Sequence, residues 1–543
     1  MSLQVPGLSA TDLVSDEWWR GAVLYQVYPR SYLDTNGDGI GDLPGIIQRL
    51  DYIAGLGVDG IWLSPFYASP MADFGYDVSD FCAVDPIFGT MVDFDALVAR
   101  AHALGLRVII DQVYCHTSDQ HAWFQESRAD RCNPKADWYV WADCKPDGSP
   151  PSNWQSVFGG PAWTWDARRS QYYLHNFLAA QPALNVHNLE VQNALLATAR
   201  FWLDRGVDGF RLDAINFLMH HPTLQDNPPV KNPTKMTRPF DFQHQLYNKS
   251  HPDIPKFLAR IRALTKSYGD SRFTVAEVVG ELAAEEMKLY TSGDQFLHSG
   301  YGFEFLYADQ MSADLVRTTM EAWTGAPNEG WPSWTFSNHD APRAISRWSP
   351  PDQRPAAASL YLFMLLCLRG NVFIYQGEEL GLPHADLALE ELRDPEAIAN
   401  WPQTLGRDGA RTPMPWRSDQ VNGGFSRGQP WLPVPVEHLP LAVDRQEADP
   451  DSTLNLCRRL LLFRRRELAL CLGAQTSVDV PSPLIGFERT LGDRVLLCIF
   501  NPSLAAITLT RLGWRVIEAV GGADIELLPP LSGLVAERRD FER

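Results

Sequence analysis

Nowhere in the 543 residues is there a run of about twenty uninterrupted apolar side chains, the length a helix needs to cross a bilayer, so no membrane partner is expected. The opening stretch MSLQVPGLSATDLVSDEWW also lacks a basic segment followed by an apolar one. No secretory leader is therefore expected, and the expected compartment is the cytoplasm. Cysteine is thin: eight residues, at 82, 115, 132, 144, 367, 457, 471 and 498, with no C-x-x-C spacing. That pattern excludes a disulfide framework and a cysteine zinc site, and free thiols are expected. Positive charge is in short supply as well. The 47 Lys and Arg face 66 Asp and Glu, a net charge of −19, which argues against nucleic acid and against an anionic bilayer. A neutral or weakly charged small molecule fits better.

What is present is apolar residues, at 45%, and length enough for two or three domains around a large core. Eighteen Trp and 17 Tyr serve packing first and stacking against ligands second. Short apolar runs alternate with segments of helical period. The strand candidates are 21–28, 60–67, 107–114, 209–214, 272–279, 302–308, 333–338 and 371–379, and helical stretches such as 43–57, 191–206, 254–268 and 356–370 lie between them. Runs that do not alternate are buried on both faces, as a helix-covered parallel sheet requires. Eight such βα units predict a closed (β/α)8 barrel. An open doubly wound sheet is the alternative, weakened because no G-x-G-x-x-G follows the first run.

Two stretches interrupt the alternation. Residues 116–180, rich in Trp, Pro, Asp and Gly, read as a subdomain inserted after the third strand. Residues 472–543 change to short strand-like pieces such as RVLLCIF, AITLTRL and RVIEAV, a small antiparallel β domain. The barrel would then be split into 1–115 and 181–471. The basic run RRLLLFRRREL reads as the solvated face of the last helix.

Polar side chains collect where the strands end: Asp111 and His116 after the third, Arg211 and Asp213 on the fourth, Glu277 on the fifth, His339 and Asp340 after the seventh. In a barrel these ends converge on one mouth. Residues two apart share a strand face, so Arg211 and Asp213 point the same way. Taken alone, that pair is equally consistent with a buried ion pair bracing the barrel. Each histidine alone is equally a satisfied core residue. Together they suit glycoside hydrolysis, which needs one carboxylate kept ionised and a second kept protonated across an oxocarbenium-like centre. Arg211 would hold Asp213 ionised, and a dry site or a nearby carboxylate such as Asp340 would raise Glu277. Asp111 reads as a structural partner at the mouth.

DQVYCH, GFRLDA, EVVG and FSNHD, in this order, resemble the sequence blocks of the α-amylase family of glycoside hydrolases. GYD at 75–77, QPALN at 181–185, FIYQGEE and GRDGARTPMPW at 406–416 make the chain similar to its bacterial α-glucosidase and oligo-1,6-glucosidase branch. The resemblance implies a barrel with an inserted domain B and a C-terminal β-sandwich. It makes Asp213 the nucleophile, Glu277 the acid/base and Asp340 the stabilising carboxylate. Asp73, His116, Arg211, His339 and Arg407 become the grip on a terminal glucose, with Tyr76 stacked beneath it. Phe158 and Phe177 wall the entrance or simply pack domain B.

A grip on every side of a terminal sugar implies exo-action on maltose and short malto-oligosaccharides. Hydrolysis and transfer to hydroxyl acceptors share one intermediate, so an enzyme that is mainly an α-glucosyltransferase is the alternative. Ala214 stands where α-1,6-specific relatives carry Val, which points to α-1,4 linkages. Cys115 in place of Asn, and Ala183 in place of Asp, speak against the domain-interface calcium of true amylases.

DTNGDGIGD at 34–42 places Asp34, Asn36, Asp38, the Ile40 carbonyl and Asp42 at the one-three-five-seven-nine spacing of a calcium loop, though Gly45 stands where an EF-hand needs Glu. The resemblance implies a structural Ca2+ or Mg2+ there; the other reading is a metal-free Asx-rich turn. No organic cofactor is expected, and the assembly is expected to be a monomer or homodimer. The rival of another class is the inactive barrel of amino-acid transporter heavy chains, which has a membrane anchor and lost carboxylates.

Overall fold

The computed structural model describes residues 17–233, 237–280, 282–323, 329–404, 406–509 and 513–538. The opening stretch read for a leader lies almost wholly outside them.

Eight parallel strands close into a barrel: β1 (Val23–Val27), β2 (Gly60–Leu63), β3 (Arg107–Val113), β4 (Gly209–Asp213), β5 (Phe273–Glu277), β6 (Ser299–Tyr301), β7 (Trp331–Trp334) and β8 (Asn371–Tyr375). Each pairs with its sequence neighbours, and β1 pairs with β8 to complete the ring. All five residues of β1, β4, β5 and β8 are buried. This is why these runs carry no alternation: both faces are covered, one by the barrel interior and one by helices.

A helix follows each strand: α1 (Leu43–Leu56), α2 (Met91–Ala103), α3 (Leu189–Asp204), α4 (Ile254–Lys266), α5 (Ala283–Thr291), α6 (Ala313–Glu321), α7 (Arg354–Cys367) and α8 (Thr453–Arg466). Local chemistry sets their ends. Asp42 caps α1 by accepting the Gly45 N–H at 2.7 Å, and Gly57 stops it with φ at +96°. Helix α7 is apolar nearly all round because it lies between the barrel and the C-terminal domain, with ten residues buried.

The sixth and seventh strands differ from expectation. GFEFLYA at 302–308 is irregular, and β6 is the preceding Ser299–Tyr301; β7 starts two residues before the expected 333 and ends at Trp334. The apolar density of 302–308 instead fills the core from a loop, with Phe305 packed on Trp334 and Phe336 at centroid distances of 5.4 and 5.2 Å. A second correction concerns the basic run of α8. Arg464 is fully buried, and its terminal nitrogens reach the carbonyls of Gly21, Leu366, Leu368 and Gly370, tying the last helix to the base of β1 and β8.

Between β3 and α3 a three-stranded antiparallel sheet (141–142, 171–174, 163–166) packs on a cluster holding Trp154, Trp163 and Leu174. Beyond α8 a five-stranded antiparallel sheet, with a separate two-stranded one, forms the C-terminal domain around Leu497, Ile499 and Leu534. The end of the expected strand AITLTRL, at 510–512, lies outside the described residues. All eight cysteines are free. Among the described residues no helix is long and apolar enough to cross a membrane.

Candidate active site

Strand register builds the centre of the site. Asp111 on β3 lies beside Arg211 on β4, which in turn neighbours Val275 on β5, so three adjacent strands present their C-terminal side chains together. Arg211 is completely buried. One terminal nitrogen donates to Asp111 Oδ1 at 2.7 Å and to Asp213 Oδ1 at 2.5 Å, while the other contacts Glu277 Oε1. Asp213 and Glu277 are thus gripped by opposite ends of one guanidinium. The Trp62 ring lies 4.9 Å from its centre. The expectation that Arg211 serves Asp213 is extended: it serves three carboxyls.

A second row runs from Asp111 across the mouth. Tyr76 donates its hydroxyl to Asp111 Oδ2 at 3.2 Å and stands 2.6 Å from His339 Nε2, with the two rings stacked at 5.4 Å and 8°. Gln26 donates to His339 Nδ1 at 2.8 Å, which leaves the His339 proton on Nε2, facing Tyr76 and Asp340 Oδ2 at 3.1 Å. Asp340 Oδ1 accepts from Arg411 at 2.9 Å and lies 3.5 Å from Arg407. Arg407 reaches Asp73 at 2.8 Å, and Asp73 accepts from the Gln181 amide at 3.0 Å. His116 sits between the Tyr76 carbonyl, at 3.0 Å from Nε2, and the Cys115 sulfur, at 3.1 Å from Nδ1. Phe158 stacks on Arg407 at 4.8 Å, and Phe177 touches Phe158, His116 and Phe217. Asp213, Glu277, Asp340, Asp73, Tyr76, His116, Phe158, Phe177, Arg211, His339 and Arg407 therefore form one connected network.

Its charges do not balance. Six carboxyls (Asp73, Asp111, Asp213, Glu277, Asp340 and Asp394) face the three guanidiniums of Arg211, Arg407 and Arg411. The surplus is relieved by protons. Burial pushes Glu277 well above the ordinary carboxylate range against the pull of Arg211, with Asp213 and Asp340 adding to the rise. Burial likewise lifts Asp111 to about 7. For Asp340, burial acts upward too, but His339, Arg411 and Arg407 outweigh it and hold the carboxyl below its usual range. Burial keeps both histidines neutral, with His339 down to about 3. The result is an acidic pocket with protonated and ionised carboxyls side by side, suited to a centre that develops positive charge.

Ala214 follows Asp213 in a left-handed conformation, φ +40° and ψ 45°, and this turn aims its N–H at Glu277 Oε2, 2.9 Å away. Three further residues join the site without having been singled out. Gln181 and Arg411 stand inside the quoted blocks QPALN and GRDGARTPMPW; Asp394, in RDP, carries only the signature of a helix cap.

The 34–42 loop lies apart from this network. Asp34 Oδ1 accepts the Asn36 and Gly37 amides, Asn36 Oδ1 that of Asp38, and Asp38 Oδ1 that of Ile40. Asp42 Oδ2 accepts from Thr35, and Ser426 donates to Asp34 Oδ2 at 2.5 Å. The donor set is all oxygen, the chemistry a hard divalent cation takes. Among the described residues no three His, Cys, Asp or Glu side chains converge at metal-binding spacing.

The model of the α-amylase catalytic domain matches residues 26–473. The chain belongs to the α-amylase family of glycoside hydrolases. A probable α-glucosidase of Rhizobium meliloti (strain 1021) is 52% identical to this α-amylase-family chain over 538 residues, covering 97% of it and 95% of the relative. An oligo-1,6-glucosidase of Heyndrickxia coagulans is 39% identical, over 82% of this chain and 85% of that one. Among solved structures, the α-glucosyl transfer enzyme XgtA superposes with a TM-score of 0.92 at 48% identity, covering 96% of this chain and 99% of that one.

Proposed function

We propose that this α-amylase-family protein is a retaining, exo-acting α-glucosidase for short α-1,4-linked substrates such as maltose, with transfer of glucose to hydroxyl acceptors. The observation that carries the reading is the shared grip of Arg211 on Asp213 and Glu277. Two carboxyls within one guanidinium's span suit attack and protonation at a single anomeric carbon. In the first step Glu277 gives its proton to the glycosidic oxygen as Asp213 bonds the anomeric carbon, and the aglycone leaves as an alcohol. In the second, an incoming water passes a proton to Glu277 as its oxygen bonds the anomeric carbon and Asp213 departs. An alcohol or sugar entering instead of water yields a new glucoside.

Asp340, Asp73, Arg407, His116 and His339 offer acceptors and donors to the hydroxyls of a terminal glucose, and Tyr76 offers a ring face. Burial of all of these but the half-buried Asp340 supports a closed-ended pocket and hence exo-action. Ala214 supports the α-1,4 preference. The aromatic row of Phe158, Phe177 and Phe217 supports entry of apolar acceptors, which favours the second reading, an enzyme that is mainly a transferase. The presence of all three carboxyls is against an inactive scaffold. The free thiols fit the expected cytoplasmic setting.

Incubation with maltose and with isomaltose, with and without a phenolic acceptor, tests the assignment by comparing free glucose with glucosylated acceptor. Faster isomaltose cleavage overturns the linkage preference, and turnover that survives in Asp213→Asn overturns the reading itself.

We further propose that the 34–42 loop holds a structural Ca2+ or Mg2+ through Asp34, Asn36, Asp38, the Ile40 carbonyl and Asp42. It supplies no chemistry to the reaction. Chelation is expected to lower the thermal midpoint and remove bound metal; an unchanged midpoint together with no metal in the untreated protein refutes the site.

A further inference from the structure

Arg407 is the side chain through which the wall of the pocket acts: it touches Asp73, approaches Asp340 and lies against Phe158. A long side chain on a loop has many rotamers, and something must select this one. Asp394 is fully buried and both its oxygens serve that task. Oδ2 accepts the Arg407 backbone N–H at 2.7 Å, Oδ1 accepts Nη2 at 2.8 Å, and Nε lies 3.1 Å from both. The contact is reciprocal, because Asp408 Oδ2 accepts the backbone N–H groups of Arg393 and Asp394 at 2.6 and 2.7 Å. Burial raises the Asp394 carboxyl, and Arg407 more than reverses that, so the pair stays ionised.

The clasp is also closed sterically. Gly406, at φ +65°, packs so tightly on the helix Pro395–Asn400 that a Cβ there would lie 2.2 Å from the Ala397 Cβ and 3.0 Å from Asp394 Oδ2. Asn400 of the same helix donates to the Phe158 carbonyl at 3.3 Å. The helix that Asp394 caps thus holds both Arg407 and the aromatic ring stacked on it.

We propose that Asp394 is a positioning residue for substrate binding, holding the Arg407 guanidinium in register with Asp73 and Asp340 while touching no substrate itself. This rests on the reading of Arg407 as part of the grip on the terminal glucose. Because that grip binds hydroxyls away from the bond being broken, its loss raises KM more than it lowers kcat.

The test is a double-mutant cycle on maltose turnover with Asp394→Asn, Gly406→Ala and Arg407→Ala, each first checked for folding by circular dichroism and thermal midpoint. Asp394→Asn is expected to lower kcat/KM by roughly 10- to 100-fold, mostly through KM. Gly406→Ala, which changes no charge, is expected to do the same. Neither change is expected to alter kcat/KM by more than about 2-fold in the Arg407→Ala background, since residues acting through one group are not additive. Full additivity of Asp394→Asn with Arg407→Ala overturns the proposal, as does wild-type KM in Asp394→Asn. If Asp394→Asn does not fold, Gly406→Ala decides alone. Wild-type kinetics in Arg407→Ala would instead overturn the role of Arg407, a separate failure.

Discussion

Replacing Arg211 with Met removes the one cation that Asp111, Asp213 and Glu277 share while keeping a side chain of similar length. Breaking one buried ion pair from one side costs about 3–5 kcal/mol. Here three carboxyls lose their partner in a buried site, so at pH 8 the cost is expected at the upper end of that range. Acid relieves it. Without Arg211 the pull that opposes burial at Asp111 and Glu277 is gone, so their folded-state pKa values rise further and the folded variant binds more protons than the unfolded chain. The relief is complete below the unfolded values and lost as pH climbs through the folded ones. Each carboxyl raised by one further unit widens the gap between acid and alkaline stability by about 1.4 kcal/mol. The expected result is a thermal midpoint far below wild type at pH 8 and much closer to it at pH 5. Activity changes as well. Asp213 loses the donor that orients it for attack, so kcat/KM at pH 7 falls by about 1000-fold, and the alkaline limb of the pH–rate profile, where Glu277 loses its proton, moves to higher pH because the pull of Arg211 on that carboxyl is gone. A drop in midpoint independent of pH, or an unshifted pH–rate profile, would refute the reasoning.

Other outcomes follow from single residues. Ala214→Val puts a β-branched side chain at φ +40°, which is expected to cost about 1–2 kcal/mol; the ratio of isomaltose to maltose turnover should rise at the same time, and an unchanged ratio would detach linkage preference from this position. His438 is held neutral by burial and by Arg343, down to about 3, so acidification from pH 6.5 toward 3 withdraws its share of stability. His438→Gln should therefore lose less midpoint than wild type between pH 7 and pH 5, by up to about 1.4 kcal/mol per pH unit, as measured by differential scanning calorimetry.

The barrel was legible where burial on both faces left an uninterrupted apolar string, as in GFRLD, where the arginine and carboxylate stand out. It was not legible at β6, because Ser299, Gly300 and Tyr301 hold little apolar density and the ring pairs them only through neighbours fixed elsewhere. Arg464 shows the same limit. A basic run on an amphipathic helix resembles a wet face, and only its meeting with the carbonyls of Gly21 and Gly370 reveals a buried staple. In the site, residues at strand ends could be found by counting. Asp394 could not, since Asp before Pro signals a helix start and its pairing with Arg407 depends on how two loop segments close. The sharing of Arg211 among three carboxyls was equally hidden: Asp111 stands a hundred positions earlier in the chain, and only register brings it alongside.

The anomeric configuration of glucose at the moment of release tests the central claim most directly. Proton NMR of a fresh hydrolysate of an aryl α-glucoside, whose phenol aglycone adds no glucose of its own, recorded before mutarotation, should give the α-anomer first, because two inversions at the same carbon restore its configuration. Initial appearance of the β-anomer would contradict the account.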